Sequence, residues 1–149
     1  MSKEILDEYG QNFRAFMAMA AQFDAKTAVT AKEDGEWSPA FVLHHVADAE
    51  MHFALRYFNA LTIDKPPVIP FNEDEYPDVL NYAGRDWLNS LALIESIGNL
   101  VIVALSPISP TQWERLSAHP EAGEVSLSFL IGKARNHMQA HTEQLKNLL

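Results

Sequence analysis

The sequence predicts an all-α protein built as a four-helix bundle, and two observations carry that reading. All eight prolines fall at positions 39, 66, 67, 70, 77, 107, 110 and 120. Proline breaks helix interiors, so long helices can run only in the windows 1–38, 40–65, 78–106 and 121–149. Within each window apolar residues return every three to four positions, and none shows the sustained period of two expected of a half-buried strand.

In the first window Leu6, Tyr9, Phe13, Phe16, Met17, Ala20 and Phe23 form one stripe. The second opens with Trp37-Ser38-Pro39, where Ser38 can cap, Pro39 fits the first helical position and Trp37 can staple onto Val42. In the third, Leu80, Trp87, Leu88, Leu91, Ile94, Ile97, Val101, Ala104 and Leu105 make a broad stripe. In the fourth, Leu127, Leu130, Ile131, Ala134, Met138, Leu145 and Leu148 do the same. Four such stripes are buried together by packing as a bundle.

The connections differ in character. Asp64 to Asp78 holds four prolines and five carboxylates against one lysine, a length and composition that suggest a functional segment or a long crossover. Pro107 to Val125 suggests a short helical turn around Thr111–Leu116, then a turn at His119-Pro120 and Gly123. The C-terminal half of the third helix is apolar on more than one side, more than a single core can satisfy. Either the 110–125 segment covers that extra face or a second subunit does, and the expectation is a homodimer with this helix near the contact.

Composition limits the function classes. The 149 residues, 48% hydrophobic and 21% charged, suit one globular domain spanning 1–149. A net charge of −9 disfavours nucleic acid and anionic membranes as partners. The chain has no cysteine, which excludes disulfides, thiolate metal sites and a cysteine nucleophile. The acidic N-terminal stretch does not read as a secretory signal. The most apolar run, Leu91–Leu105, is interrupted by Glu95, Ser96, Gly98 and Asn99 and is short for a membrane span. The expectation is a soluble cytoplasmic protein.

The histidines carry the chemistry. His137 and His141 lie one turn apart and within the apolar stripe of the fourth helix, so both rings can reach one cation from one face. On the second helix His45, Asp48, Ala49 and His52 share a face. One inward histidine from there completes a three-nitrogen site with positions left for water or substrate, the layout of a catalytic centre. His44, about 100° from His45 around the helix, is expected at the rim, and His119 reads as a turn residue. No Glu-x-x-His pair, zincin pattern, phosphate loop or Gly-x-Ser-x-Gly elbow occurs. Gly84 and Gly98 read as helix packing contacts.

These residues resemble a family. Trp37-Ser38-Pro39 followed by His45-Val46-Ala47-Asp48-Ala49-Glu50, the acidic segment Phe71–Tyr76, Trp113-Glu114-Arg115 with His119-Pro120 and Gly123, and His137-x-x-x-His141-x-x-Gln144-Leu145 are similar in order and spacing to the DinB-like superfamily. Val46 stands where leucine is usual, and Asn72 where aspartate is usual. The resemblance implies a four-helix bundle with a long crossover between helices 2 and 3. It also implies a divalent ion, zinc or nickel, on His45, His137 and His141. The family includes metal-dependent hydrolases, thiol-dependent S-transferases and a thiol-dependent isomerase.

The function expected is therefore a metal-dependent enzyme, hydrolase or thiol-dependent S-transferase in type, acting on a small molecule and in the second case with a low-molecular-weight thiol. The alternative is a non-enzymatic, stress-related bundle that binds a metal or small ligand. Asp48, or else Glu50, is expected to orient a ligand imidazole or act as base, unless they are helix-surface carboxylates. Tyr76 and Gln144 are expected to line the pocket. The acidic loop reads either as a mouth favouring neutral or cationic groups or as a solvated linker. With ordinary imidazoles, metal release is expected below about pH 6.

Overall fold

The computed structural model describes residues 2–149. Its long helices are α1 (Ser2–Ala20), α2 (Pro39–Thr62), α4 (Trp87–Leu105) and α6 (Leu127–Leu148). Short elements join them: α3 (Tyr76–Val79), a 3-10 turn (Tyr82–Gly84), α5 (Pro110–Trp113), and a hairpin of β1 (Leu116–His119) and β2 (Gly123–Ser126). Helix α1 packs chiefly on α6, while α2 packs on both α4 and α6, and α4 closes back onto α1. The bundle is the one the proline windows predict, with residues 63–86 forming the long connection.

Polar starts define the helices. Ser38 Oγ accepts from Phe41 N–H, with Pro39 in the first turn, and Ser126 Oγ accepts from Phe129 N–H; each satisfies an amide the helix leaves unpaired. Trp37 packs against the apolar cluster that contains Val42. A Cβ on Gly98 would lie 2.5 Å from the Phe13 ring, so this glycine is what allows α1 and α4 to approach.

Two boundaries differ from the sequence expectation. α1 stops at Ala20, and Phe23 is buried from the loop beyond it. Leu80 is 43% exposed and outside the third long helix, which starts at Trp87 because Asp86 caps it there. Gly84 accordingly lies in the 3-10 turn rather than in a helix. The hairpin is an addition: strands of four residues are too short to show alternation, and only Ser117 and Val125, which pair with each other, are buried in it. Val68 N–H donates to Ala118 O and Ala118 N–H to Pro66 O, which pins the crossover onto the hairpin.

Helix α2 lies at the centre. Every residue from Val42 to Glu50 is buried, including His44, His45, Asp48 and Glu50. The α4 helix is different. It is long and apolar enough to cross a membrane by length and composition, with mean hydropathy 1.8, and 28% of it is buried. The helix reaches four residues further back than the run singled out in the sequence. The 110–125 segment packs on α6 and the crossover, leaving Leu88, Leu100 and Val103 on an open outer face of α4.

Candidate metal centre

Packing α2 against α6 brings three imidazoles together. His45 Nε2 lies 3.0 Å from His137 Nε2 and 3.1 Å from His141 Nε2, and the last two are 3.1 Å apart. A neutral ring nitrogen offers either one N–H or one lone pair. Three such nitrogens therefore cannot close a triangle of hydrogen bonds; at least one contact must join like with like. A divalent cation accepting all three lone pairs resolves the conflict, and three neutral imidazoles are donors that suit zinc. Among the described residues no other group of three or more histidine, cysteine or acidic side chains is gathered in this way.

The outer nitrogen of one ring fixes its tautomer. Gln144 Oε1 lies 2.7 Å from His141 Nδ1; an amide oxygen only accepts, so Nδ1 carries the proton and Nε2 keeps its lone pair for the centre. Gln144 thus supports a ligand. Gln144→Leu should weaken zinc binding by about 10–100-fold, read by competition with a chromogenic chelator, and unchanged affinity would contradict this role.

The surroundings keep the rings neutral. Burial lowers His45 to about 4 and His137 to about 3, each helped by the charge of neighbouring histidines. Burial likewise lowers His141. Protons compete with a metal only below the pKa of the free ligand. The release expected below about pH 6 from ordinary imidazoles therefore moves towards pH 4, and zinc should remain after dialysis at pH 5. Complete loss at pH 6 would contradict the geometry.

Glu73, from the crossover, places Oε2 3.7 Å from His45 Nε2 with its side chain 54% exposed. It faces the centre from the solvent side. The sequence marks the acidic segment 71–76 but not this residue, because its reach depends on the crossover being tied to the hairpin. Next to it a cavity of about 660 Å³ runs along α2 and α6, with His137, Phe53 and Tyr57 in its wall. Phe53 meets His137 edge-on at 5.3 Å, and Trp37 lies 5.5 Å from His45.

The other expected residues are placed elsewhere. Asp48 is buried, but its oxygens take the fork of Arg85 at 2.8 and 2.9 Å and the Tyr82 hydroxyl at 2.8 Å. It ties α2 to the segment before α4 and bonds none of the three rings. Glu50 is fully buried and accepts from Tyr9 O–H at 2.6 Å on the α1 side; burial raises its carboxyl to about 7. Neither is a surface carboxylate.

His44 is 1% exposed and pairs through Nδ1 with Ser90 Oγ at 2.8 Å. It is not at the rim, because the face of α2 turned from the centre packs on α4. His52 stacks on Phe71 at 4.2 Å and meets the Tyr76 hydroxyl at 2.8 Å. That contact leaves His52 out of the cluster, and Tyr76 is not in the cavity wall. His119, expected in a turn, is instead the last residue of β1, its Nδ1 accepting from the amides of Glu121 and Ala122 in the hairpin turn.

A family model described as the DinB superfamily matches residues 8–145. A relative from Oceanobacillus iheyensis, named as a putative metal-dependent hydrolase, is 32% identical over 119 residues, covering 80% of this chain and 69% of its own. One from Bacillus mycoides with the same description is 27% identical over 152 residues, covering 99% and 87%. Among solved structures, YfiT from Bacillus subtilis is described as a probable metal-dependent hydrolase with an unusual four-helix bundle topology. It matches with a TM-score of 0.80 at 21% identity, over 98% of this chain and 86% of its own. The mycothiol-dependent maleylpyruvate isomerase matches at 0.80 and 15% identity, over 97% and 60%. These two likenesses establish the bundle as a shared fold.

Proposed function

We propose that this chain, which belongs to the DinB superfamily, is a metal-dependent enzyme of hydrolytic chemistry that acts on a small molecule at His45, His137 and His141. The observation that carries the reading is the triangle of three ring nitrogens at 3.0–3.1 Å, with a cavity beside it. The names of the relatives agree with it. A divalent cation such as zinc or nickel in that triangle supplies Lewis acidity, which polarises a carbonyl or lowers the pKa of a water or thiol.

The chain supplies the rest. Gln144 holds His141 in its donor tautomer. Phe53 and Trp37 pack on the ligand rings and limit their motion. Glu73, nearest the open side, takes the proton from the nucleophile and returns it to the leaving group. Asp48, spent on Arg85 and Tyr82, is a positioning residue that sets the helix bearing His45 rather than a base. A thiol-transfer reading uses the same centre, and is supported by the fold shared with a mycothiol-dependent isomerase.

Turnover separates the readings. Zinc-loaded protein should cleave members of an ester and amide panel that chelator-treated protein leaves intact. Conjugation of a low-molecular-weight thiol to an electrophile without hydrolysis would favour transfer. Neither activity would leave a metal-binding bundle. The open face of α4 is assigned to a second copy of the chain, in keeping with Leu88, Leu100 and Val103 exposed there. Sedimentation should show a dimer at micromolar concentration that Val103→Glu dissociates; a monomeric parent protein would contradict this.

A further inference from the structure

The cavity wall carries two basic side chains in a chain dominated by acids. The chain carries 20 acids against 11 bases, yet Arg56 of α2 and Lys133 of α6 both line the cavity. Neither takes part in an ion pair among the described residues. Arg56 is half-buried, with its guanidinium 5.4 Å from the Phe53 ring centre and 5.6 Å from that of Phe71. One of its nitrogens, Nη2, donates to Ile69 O at 2.8 Å. That bond anchors the group and leaves the rest of the fork without a partner.

Lys133 lies one turn before His137, so both project from one face of α6. His119 adds a third donor. Its Nδ1 accepts two backbone N–H groups, so in the neutral ring Nε2 must carry the hydrogen. Apolar side chains, Val68, Leu130, Phe71 and Phe129, make up much of the rest of the wall. Two carboxylates also line the cavity: Glu73, beside His45, and Glu121, in the turn after His119. In an acidic chain, a guanidinium held in place by a carbonyl and two rings, with its other N–H groups outside any ion pair among the described residues, is a preorganised donor for an anionic ligand.

We propose that the substrate is an organic carboxylate with an apolar body: Arg56 and Lys133 bind its carboxylate, assisted by the His119 N–H, while its reacting group lies at the histidine end. This rests on the hydrolytic reading for the reacting end only. It differs from the expectation of a mouth favouring neutral or cationic groups; of the acidic residues of the crossover, only Glu73 lines the cavity. A volume of about 660 Å³ suits a molecule of drug-like or metabolite size.

The test uses 3-phenylpropanoate and its uncharged amide, titrated calorimetrically into zinc-loaded and chelator-treated protein. The carboxylate should bind about tenfold or more tightly than the amide in both forms. Arg56→Gln combined with Lys133→Gln should abolish the preference with zinc content and melting temperature unchanged. Arg56→Lys alone should retain part of it, because charge survives without the fork. Equal binding of the two probes, binding of neither, or a preference that disappears with zinc but survives the double substitution would overturn the proposal. A persisting preference in a protein that hydrolyses nothing would overturn only the assigned reaction.

Discussion

Substituting His137→Ala should leave a folded protein without its stoichiometric zinc and without turnover. His137 contributes one of three donors that meet at 3.0–3.1 Å, and two imidazoles cannot hold the ion against competing buffer ligands. The loss in affinity should exceed the roughly 10–100-fold typical of a supporting residue. The helix itself should survive, because Ala134, Met138 and Leu145 bury its core face. Metal analysis after gel filtration, with circular dichroism as the control for folding, measures both.

His44→Ala provides the contrast. It removes the nearer of two partners of the buried Ser90 hydroxyl, which also accepts from Arg85 at 3.3 Å, and should lower stability by about 1–3 kcal/mol while zinc stays bound. Equal zinc retention by the two variants would refute the ligand assignment.

Glu73→Gln should separate catalysis from metal binding. The side chain keeps its size and loses its negative charge and its ability to carry a proton, so kcat should fall by about 10²–10⁴-fold. Zinc content and KM should change little, the pattern expected when an interaction is lost only in the transition state. A solvated loop carboxylate at 54% exposure would give no change in kcat. A large loss of zinc would instead place Glu73 among the ligands.

The features legible in the sequence were those with local causes. Prolines and three-to-four periodicity mark the helices, and Ser38 marks one of their starts through a bond to the amide three residues on. The i, i+4 spacing of His137 and His141 already places two rings on one face. The residues misplaced or missed depend on tertiary contacts. His44 and Glu50 are buried because α2 packs on several sides at once, a burial that an amphipathic-stripe argument does not anticipate. Asp48 is buried by a bidentate pair with Arg85, 37 residues away.

The hairpin escaped because its strands are four residues each. Glu73 escaped for a linked reason. Its position is set by Val68 and Pro66 bonding across to Ala118, a contact between two segments that share no sequence pattern. The pairing of Arg56 and Lys133 in one cavity is likewise a product of packing α2 on α6, invisible in a composition dominated by acids.

The most direct measurement is X-ray absorption at the zinc edge of the loaded protein. A first shell at about 2.0–2.1 Å whose outer-shell scattering requires three imidazole rings is the predicted result. A shell of oxygen ligands with one ring or none would contradict the convergence of His45, His137 and His141 on a single ion.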